Sequence, residues 1–363
     1  MIPTDRPDPT AAKTGLLLHE GGPYNVETPP HLLDDPVTPI ERFFVRNNGG
    51  WPEVDAAAWR LVVDGLVERP LSLSLDDLRA RFETVTVTSV LECAGNGRSF
   101  LAPEVEGVPW GYGAVGCARF TGVRLKDVLA AAGVKPEAVY TAHHSPDRTE
   151  SGKVALSRGL PLRKALAPET LLAFGMNGVD LPVAHGGPLR IVAPGFPGSA
   201  WQKWLARLEL RDREHDGPKM TGLDYRLPTA PIRPGEEPDP AAFAVIEDMP
   251  VKALLTHPPD RTSLDRDVPC EIRGFAWSGH VPVERVHVST DGGMTWAVAE
   301  LEPGEGPFAW RRFRHAWTPH EPGPAILIAR AADAKGRVQP LDQTWNPRGY
   351  CNNGCQRVEV AVG

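Results

Sequence analysis

No apolar run in this chain approaches the ~20 residues that a membrane-spanning helix needs. Aromatic residues are scarce, at 7% of 363 residues, and no internal repeat or long low-complexity tract is present. An excess of positive charge is also missing. The 39 Lys and Arg against 46 Asp and Glu leave a net charge of −7. That excludes the global basic signature of proteins bound to nucleic acid or to an anionic membrane, so any anion site must be built from local clusters. The five cysteines, Cys93, Cys117, Cys270, Cys351 and Cys355, are odd in number and scattered, unlike a disulfide framework. The start, Met1-Ile2-Pro3-Thr4-Asp5-Arg6-Pro7, has neither the apolar segment of a signal peptide nor paired arginines. As it stands the chain reads as cytoplasmic, or as periplasmic if an export signal has been removed.

Proline and glycine, by contrast, are abundant, at 38 and 36 residues, which predicts many turns rather than a helical bundle. With 41% hydrophobic content the chain can bury a large core and divides into two domains. Residues 1–40 read as an extended N-terminal arm. Residues 41–240 carry mixed α and β patterns. Leu61 to Leu66 reads as strand and turn, and Ser74 with Asp77 predicts a capping box on a short helix through Phe82. Val123, Leu125, Val128 and Leu129 mark a helical face closed by Gly133. Asn177-Gly178 after Leu171 to Phe174 predicts a hairpin, and Leu189 to Ala193 a buried strand. The Pro-rich stretch between Leu227 and Pro240 reads as a linker. Beyond it, residues 241–363 alternate in short strands. Cys270 to Trp277, Val286 to Thr290, Trp296 to Val298, Pro324 to Ala332 and Arg357 to Val362 predict an all-β, immunoglobulin-like sandwich.

The chemistry centres on Cys93. The β-rich run Thr84 to Leu91 delivers it onto the loop Glu92-Cys93-Ala94-Gly95-Asn96-Gly97-Arg98. A lone cysteine after a strand is ordinarily a small buried hydrophobe. Here Ala94, Gly95 and Gly97 let something bulky approach the backbone, and Arg98 can face the same pocket. A soft thiolate beside a fixed cation can hold a soft metal and an anion together. Arg46, among Phe43, Phe44 and Val45, reads as the charged member of a strand entering a cleft. The segment His185-Gly186-Gly187-Pro188-Leu189-Arg190, with Gln202 and Lys203 downstream, suits a phosphate or another fixed anion. Cys351 and Cys355 lack a second ligand pair and read as plain thiols. His143-His144 reads as a loop, because neighbours on a strand point apart and would not share a metal.

Together these segments resemble the sulfite oxidase family of molybdenum enzymes, from about Arg42 to the C-terminus. The similarity is carried by the cysteine loop, by Gly107 to Ala114 with Thr121 to Leu125, and by Met176-Asn177-Gly178. His185 to Arg190, Lys203-Trp204 and Trp345-Asn346-Pro347-Arg348-Gly349 extend it. The resemblance implies an α+β molybdopterin-binding domain followed by an immunoglobulin-like dimerisation domain, hence a homodimer. It implies a molybdenum–molybdopterin cofactor of the oxo type with Cys93 as the protein's metal ligand. Arg46, Asn47, Asn48, Cys93, His185, Arg190, Gln202 and Lys203 would hold the cofactor. Arg46, Arg98, Trp110, Tyr225 and Arg348 would form the catalytic pocket for sulfite. The implied reaction is oxidation of sulfite to sulfate by oxygen-atom transfer, needing no general base in its first step. Tyr225 would donate a hydrogen bond, and several guanidiniums would compensate the dianion.

Three positions depart from the family pattern. Asn48 stands where many relatives have a histidine, Gly97 replaces an arginine, and Glu106 replaces a lysine of the vertebrate enzymes, making the mouth less basic. No haem domain is expected in this chain, so electrons would pass to dioxygen or to a separate cytochrome. A nitrate reductase or an S-oxide reductase of the same fold, and a non-catalytic binding protein, are the competing readings.

Overall fold

The computed structural model describes Lys13 and residues 15–363. Residues 1–12 and Thr14 of the expected arm lie outside the described residues. Among the described residues no helix is long and apolar enough to cross a membrane. Strands dominate the described residues, and the few helices are short.

Two sheets build the N-terminal half. In one, Thr84–Glu92 pairs antiparallel with Val115–Arg124, which pairs with Leu171–Met176; that strand also pairs with Val179–Asp180 and Arg190–Val192. The other runs in the order Leu71–Leu73, Leu61–Gly65, Arg207–Arg211, Tyr140–His144, Gly159–Pro161. Leu61–Gly65 and Arg207–Arg211 lie parallel, and the remaining pairs are antiparallel. Strand-forming Val and Thr alternate through Thr84–Glu92, exposed at the start and buried at the end, so the strand dives into the core just before Cys93. Helix Leu75–Arg81 opens on the expected capping box: Asp77 N donates to Ser74 Oγ, and the Asp77 carboxylate accepts from Ser74 N. Helix Leu125–Ala132 buries Leu125, Val128 and Leu129 and stops at Gly133, whose φ of 72° is left-handed. Val123 belongs instead to the preceding strand. Asn177 and Gly178, with φ of 52° and 84°, form the expected hairpin turn.

The C-terminal half is a two-sheet sandwich. One sheet orders Lys252–His257, Cys270–Trp277, Arg311–Trp317 and Glu300–Leu301. The other orders Thr262–Leu264, Arg357–Val362, Gly323–Asp333, Val283–Ser289 and Ala297–Val298. Their facing side chains, including Leu255, Ile272, Val286, Phe313, Leu327 and Val358, make a separate core.

Two local expectations are overturned. The Arg46 segment is no strand: Ile40–Arg42 is a 3₁₀ turn and Val45 makes a single bridge to Val26. Asn47 is held instead by the N-terminal arm: its N–H donates to Asn25 Oδ1 and its side chain to Tyr24 O. His143-His144 is no loop. Both sit on Tyr140–His144, where His143 points into the core and His144 lies at the partly exposed face.

The two halves are tied together. Asp34, from the N-terminal arm, accepts from Arg273 and Arg312 of the sandwich, and Trp310 Nε1 donates to Pro36 O at 2.8 Å. Met249 N donates to Gly195 O at 2.9 Å, and Val90 N to Phe308 O at 2.9 Å. These bonds anchor the sandwich against the sheet that ends at Cys93.

Candidate active site

Two adjoining cavities meet at Cys93. The inner one encloses about 670 Å³ and is lined by Arg46, Asn47, Asn48, Cys93, His185, Arg190, Ser199, Gln202, Lys203 and Tyr225, among others. The outer one encloses about 500 Å³ and is lined by Arg46, Asn48, Cys93, Arg98, Glu106, Trp110, Lys219, Asp224, Tyr225, Arg348 and Tyr350, with others. Every residue that the resemblance assigns to the cofactor or to the catalytic pocket therefore borders one cavity or both. Cys93 is a free thiol, as are the other four cysteines.

The cysteine loop is a tight turn. Cys93 N donates to Ala114 O, Asn96 N donates to Cys93 O, and Asn96 Oδ1 accepts from Ala114 N. Gly97 adopts φ 86°, and a Cβ there would stand 2.9 Å from the Asn352 side chain. That side chain donates to Gly97 O at 2.6 Å, so the glycine at this departing position is required by its packing. At Gly95 a Cβ would stand 2.5 Å from the Arg98 guanidinium, which folds back over the loop.

The inner cavity is a buried basic cradle. Lys203 Nζ donates to Asn47 Oδ1 and to Ala184 O. Burial, then repulsion from Arg190, holds its ammonium well below the ordinary lysine range. His185 is likewise pushed well below its usual value, by burial and then by Lys13 and Lys203. Lys13 Nζ lies 3.0 Å from His185 Nε2 and itself falls to about 7 through burial. Burial takes Arg190 down to about 9. Arg190 spends its donors on the carbonyls of His185, Trp201 and Ile191, so it fixes the cradle's backbone while contributing charge. Lys203, Arg190 and Lys13 gathered in one buried wall make a setting suited to an anionic group. Gln202 faces the same cavity and donates to Ser145 Oγ at 2.7 Å. Ser199 Oγ, in the wall, has no partner.

The outer cavity carries unpartnered donors. Trp110 is fully buried and its Nε1 has no partner; Arg348 Nε is also buried without one. Arg348 Nη1 reaches Glu106 at 3.3 Å. Arg98 is 8% exposed and donates to Arg348 O and Val108 O, so it shapes the pocket's backbone as well as its field. Arg46 Nη2 donates to Asn48 Oδ1 at 2.8 Å. Tyr225 stacks on Tyr350 with centroids 5.2 Å apart. The Arg158 guanidinium lies 5.0 Å from the Tyr225 ring, and Arg98 lies 5.4 Å from Tyr350, so two cations sandwich the tyrosine pair.

Sequence reasoning missed Tyr350, Arg158 and Ser199. Tyr350 stood two positions after Arg348 and was within reach of that motif. Arg158 had no signal, because only folding brings Ser157-Arg158-Gly159 beneath Tyr225.

Residues 48–219 match the model of the oxidoreductase molybdopterin binding domain, and residues 243–363 that of the Mo-co oxidoreductase dimerisation domain. The chain is 36% identical to sulfite oxidase of Gallus gallus over 361 residues, covering 94% of this chain and 77% of that protein. The chain belongs to the sulfite oxidase family. Mitochondrial sulfite oxidase of Rattus norvegicus is 37% identical over 366 residues, 96% of this chain, which spans 66% of that enzyme's length. The NADPH nitrate reductase of Emericella nidulans is 30% identical, with 98% of this chain and 45% of that protein covered. Among solved structures, the sulfane dehydrogenase SoxCD from Paracoccus pantotrophus superposes with a TM-score of 0.80 at 30% identity, covering 98% and 90%.

The family's cofactor is a molybdenum–molybdopterin, and the residues present fit it. Among the described residues no group of three or more His, Cys, Asp or Glu could hold a metal ion. A metal at Cys93 must therefore bring most of its ligands with it, as a pterin dithiolene does. The buried cradle of Arg190 and Lys203, with the His185 imidazole beside them, suits the cofactor's phosphate, and the unpartnered Ser199 Oγ offers a further hydrogen bond. Cys93, bordering both cavities, stands where cofactor and substrate would meet.

Proposed function

We propose that this chain oxidises sulfite to sulfate at a molybdenum centre ligated by Cys93, passing electrons to an external acceptor, and that it works as a homodimer through residues 243–363. The observation that carries this reading is the outer cavity. Two buried N–H donors without partners, Trp110 Nε1 and Arg348 Nε, stand in its walls together with Arg46, beside the one cysteine that borders both cavities. Buried donors left unmade are costly, so the cavity is tuned for a small, multiply accepting anion.

When bound, the cofactor supplies the oxygen atom and accepts the electron pair. The chain's own part is binding and orientation. Arg46, Trp110 and Arg348 receive the oxyanion and turn its sulfur toward the metal, and the Tyr225 phenol donates a further hydrogen bond. Glu106 and Asp224, the two carboxylates in the outer wall, face Arg348 and Lys219 at 3.3 Å each, and no base is required of them.

Assay of purified, cofactor-loaded protein tests this directly, with sulfite plus ferricyanide set against nitrate plus reduced viologen and against a sulfane-sulfur substrate. Sulfite turnover supports the reading; turnover of nitrate or sulfane alone replaces it. Comparing oxygen consumption with cytochrome reduction identifies the acceptor.

A further inference from the structure

Glu92, immediately before Cys93, is 1% exposed, and its carboxylate is shared between the two halves of the molecule. One oxygen accepts from Lys252 Nζ at 2.5 Å and from Asn96 Nδ2 at 3.0 Å; the other accepts from Trp277 Nε1 at 2.8 Å. Lys252 and Trp277 belong to the C-terminal sandwich. They are directly opposed on the antiparallel pair Lys252–His257 and Cys270–Trp277, so the ladder presents both donors at a fixed spacing. Lys252 is 3% exposed and Trp277 4%.

From Glu92 the bonding continues into the cysteine turn. Asn96, which donates to Glu92, accepts from Ala114 N, and Ala114 O accepts from Cys93 N. Asn96 N in turn donates to Cys93 O. A closed circuit of hydrogen bonds thus surrounds the residue that bears the thiol, and its outer anchor lies in the second half of the chain. Buried polar networks of this kind fix one geometry rather than add much stability.

We propose that Lys252 and Trp277 are positioning residues for Cys93: acting through Glu92 and Asn96, the C-terminal sandwich sets the orientation of the metal's protein ligand. This deepens the proposed function and rests on its assignment of Cys93 to molybdenum. Outer partners that orient a ligand commonly alter activity by ~10–100-fold when removed.

The experiment uses cofactor-loaded enzyme with Trp277→Phe, Lys252→Met and the double variant Glu92→Gln/Lys252→Met. Three quantities are read: thermal midpoint, the kcat and KM split for sulfite with ferricyanide, and the Mo(V) resonance after partial chemical reduction. Trp277→Phe keeps a ring and removes one donor. It should melt close to the parent, lose about tenfold in kcat with KM nearly unchanged, and shift the Mo(V) resonance. Lys252→Met leaves a buried carboxylate unpaired and should be destabilised. The double variant should recover stability but neither the parental resonance nor the parental kcat. A parental resonance and kcat in Trp277→Phe and the double variant overturn the proposal, and Trp277→Phe alone decides if the others fail to fold. The resonance needs no sulfite, so a parent inactive on sulfite would refute the proposed substrate while leaving this inference measurable.

Discussion

Arg348 Nη1 and the Glu106 carboxylate stand 3.3 Å apart in the wall of the outer cavity, and the Glu106 side chain is 90% exposed. Under the proposed function Glu106 would be a displaceable counter-ion on a guanidinium that the incoming dianion needs. An exposed pair of this kind is worth only ~0.2–1 kcal/mol, so the anion can separate it. Glu106→Gln should lower the KM for sulfite about two- to fivefold, a change within that energy range, while kcat stays level. Steady-state kinetics at low ionic strength check this, and an unchanged or raised KM contradicts it.

Arg348 and Arg98 should respond differently to loss of charge. Arg348→Met removes an unpartnered donor from the cavity wall and should raise the sulfite KM with little change in melting temperature. Arg98→Met also removes the bonds to Arg348 O and Val108 O. It should raise KM and lower the melting temperature together. Kinetics and thermal unfolding on the same preparations separate the two, and identical profiles would contradict the distinction.

Acid should destabilise the fold through two histidines that the site does not use. Burial, then the neighbouring His215 and His144, takes His143 down to about 3; burial, then His144 and Arg211, takes His215 down to about 4. Both stay neutral in the folded chain while the unfolded chain protonates them near ~6.5. Stability is then fully present above about pH 6.5 and is lost progressively as pH falls toward 4 and 3. Melting temperature measured from pH 8 to pH 4 should drop, and His215→Gln should make the decline shallower. A slope unaltered by that substitution contradicts the assignment.

Much of this molecule was legible in its sequence because the signals were local. The capping box at Ser74, the glycine stop at Gly133 and the Asn177-Gly178 hairpin depend on neighbours within four residues, and all formed. The placement of Cys93 on a tight loop bordering both cavities was legible because strand, small-residue loop and arginine follow one another in the chain. The Arg46 segment misled, since Phe43, Phe44 and Val45 are apolar for packing rather than for pairing in a sheet. His143-His144 misled in the opposite sense: two polar residues in a row sit on a strand because Thr141 and Ser157 bond around them. Arg158 and the Lys252–Glu92 contact were invisible because their partners lie tens to more than a hundred residues away.

The measurement that most directly tests the account is molybdenum X-ray absorption on the loaded enzyme and on Cys93→Ser. Cys93 as the protein ligand predicts one fewer sulfur neighbour around molybdenum in the serine variant, together with loss of sulfite turnover and retention of the fold. An unchanged sulfur count with turnover intact would contradict it.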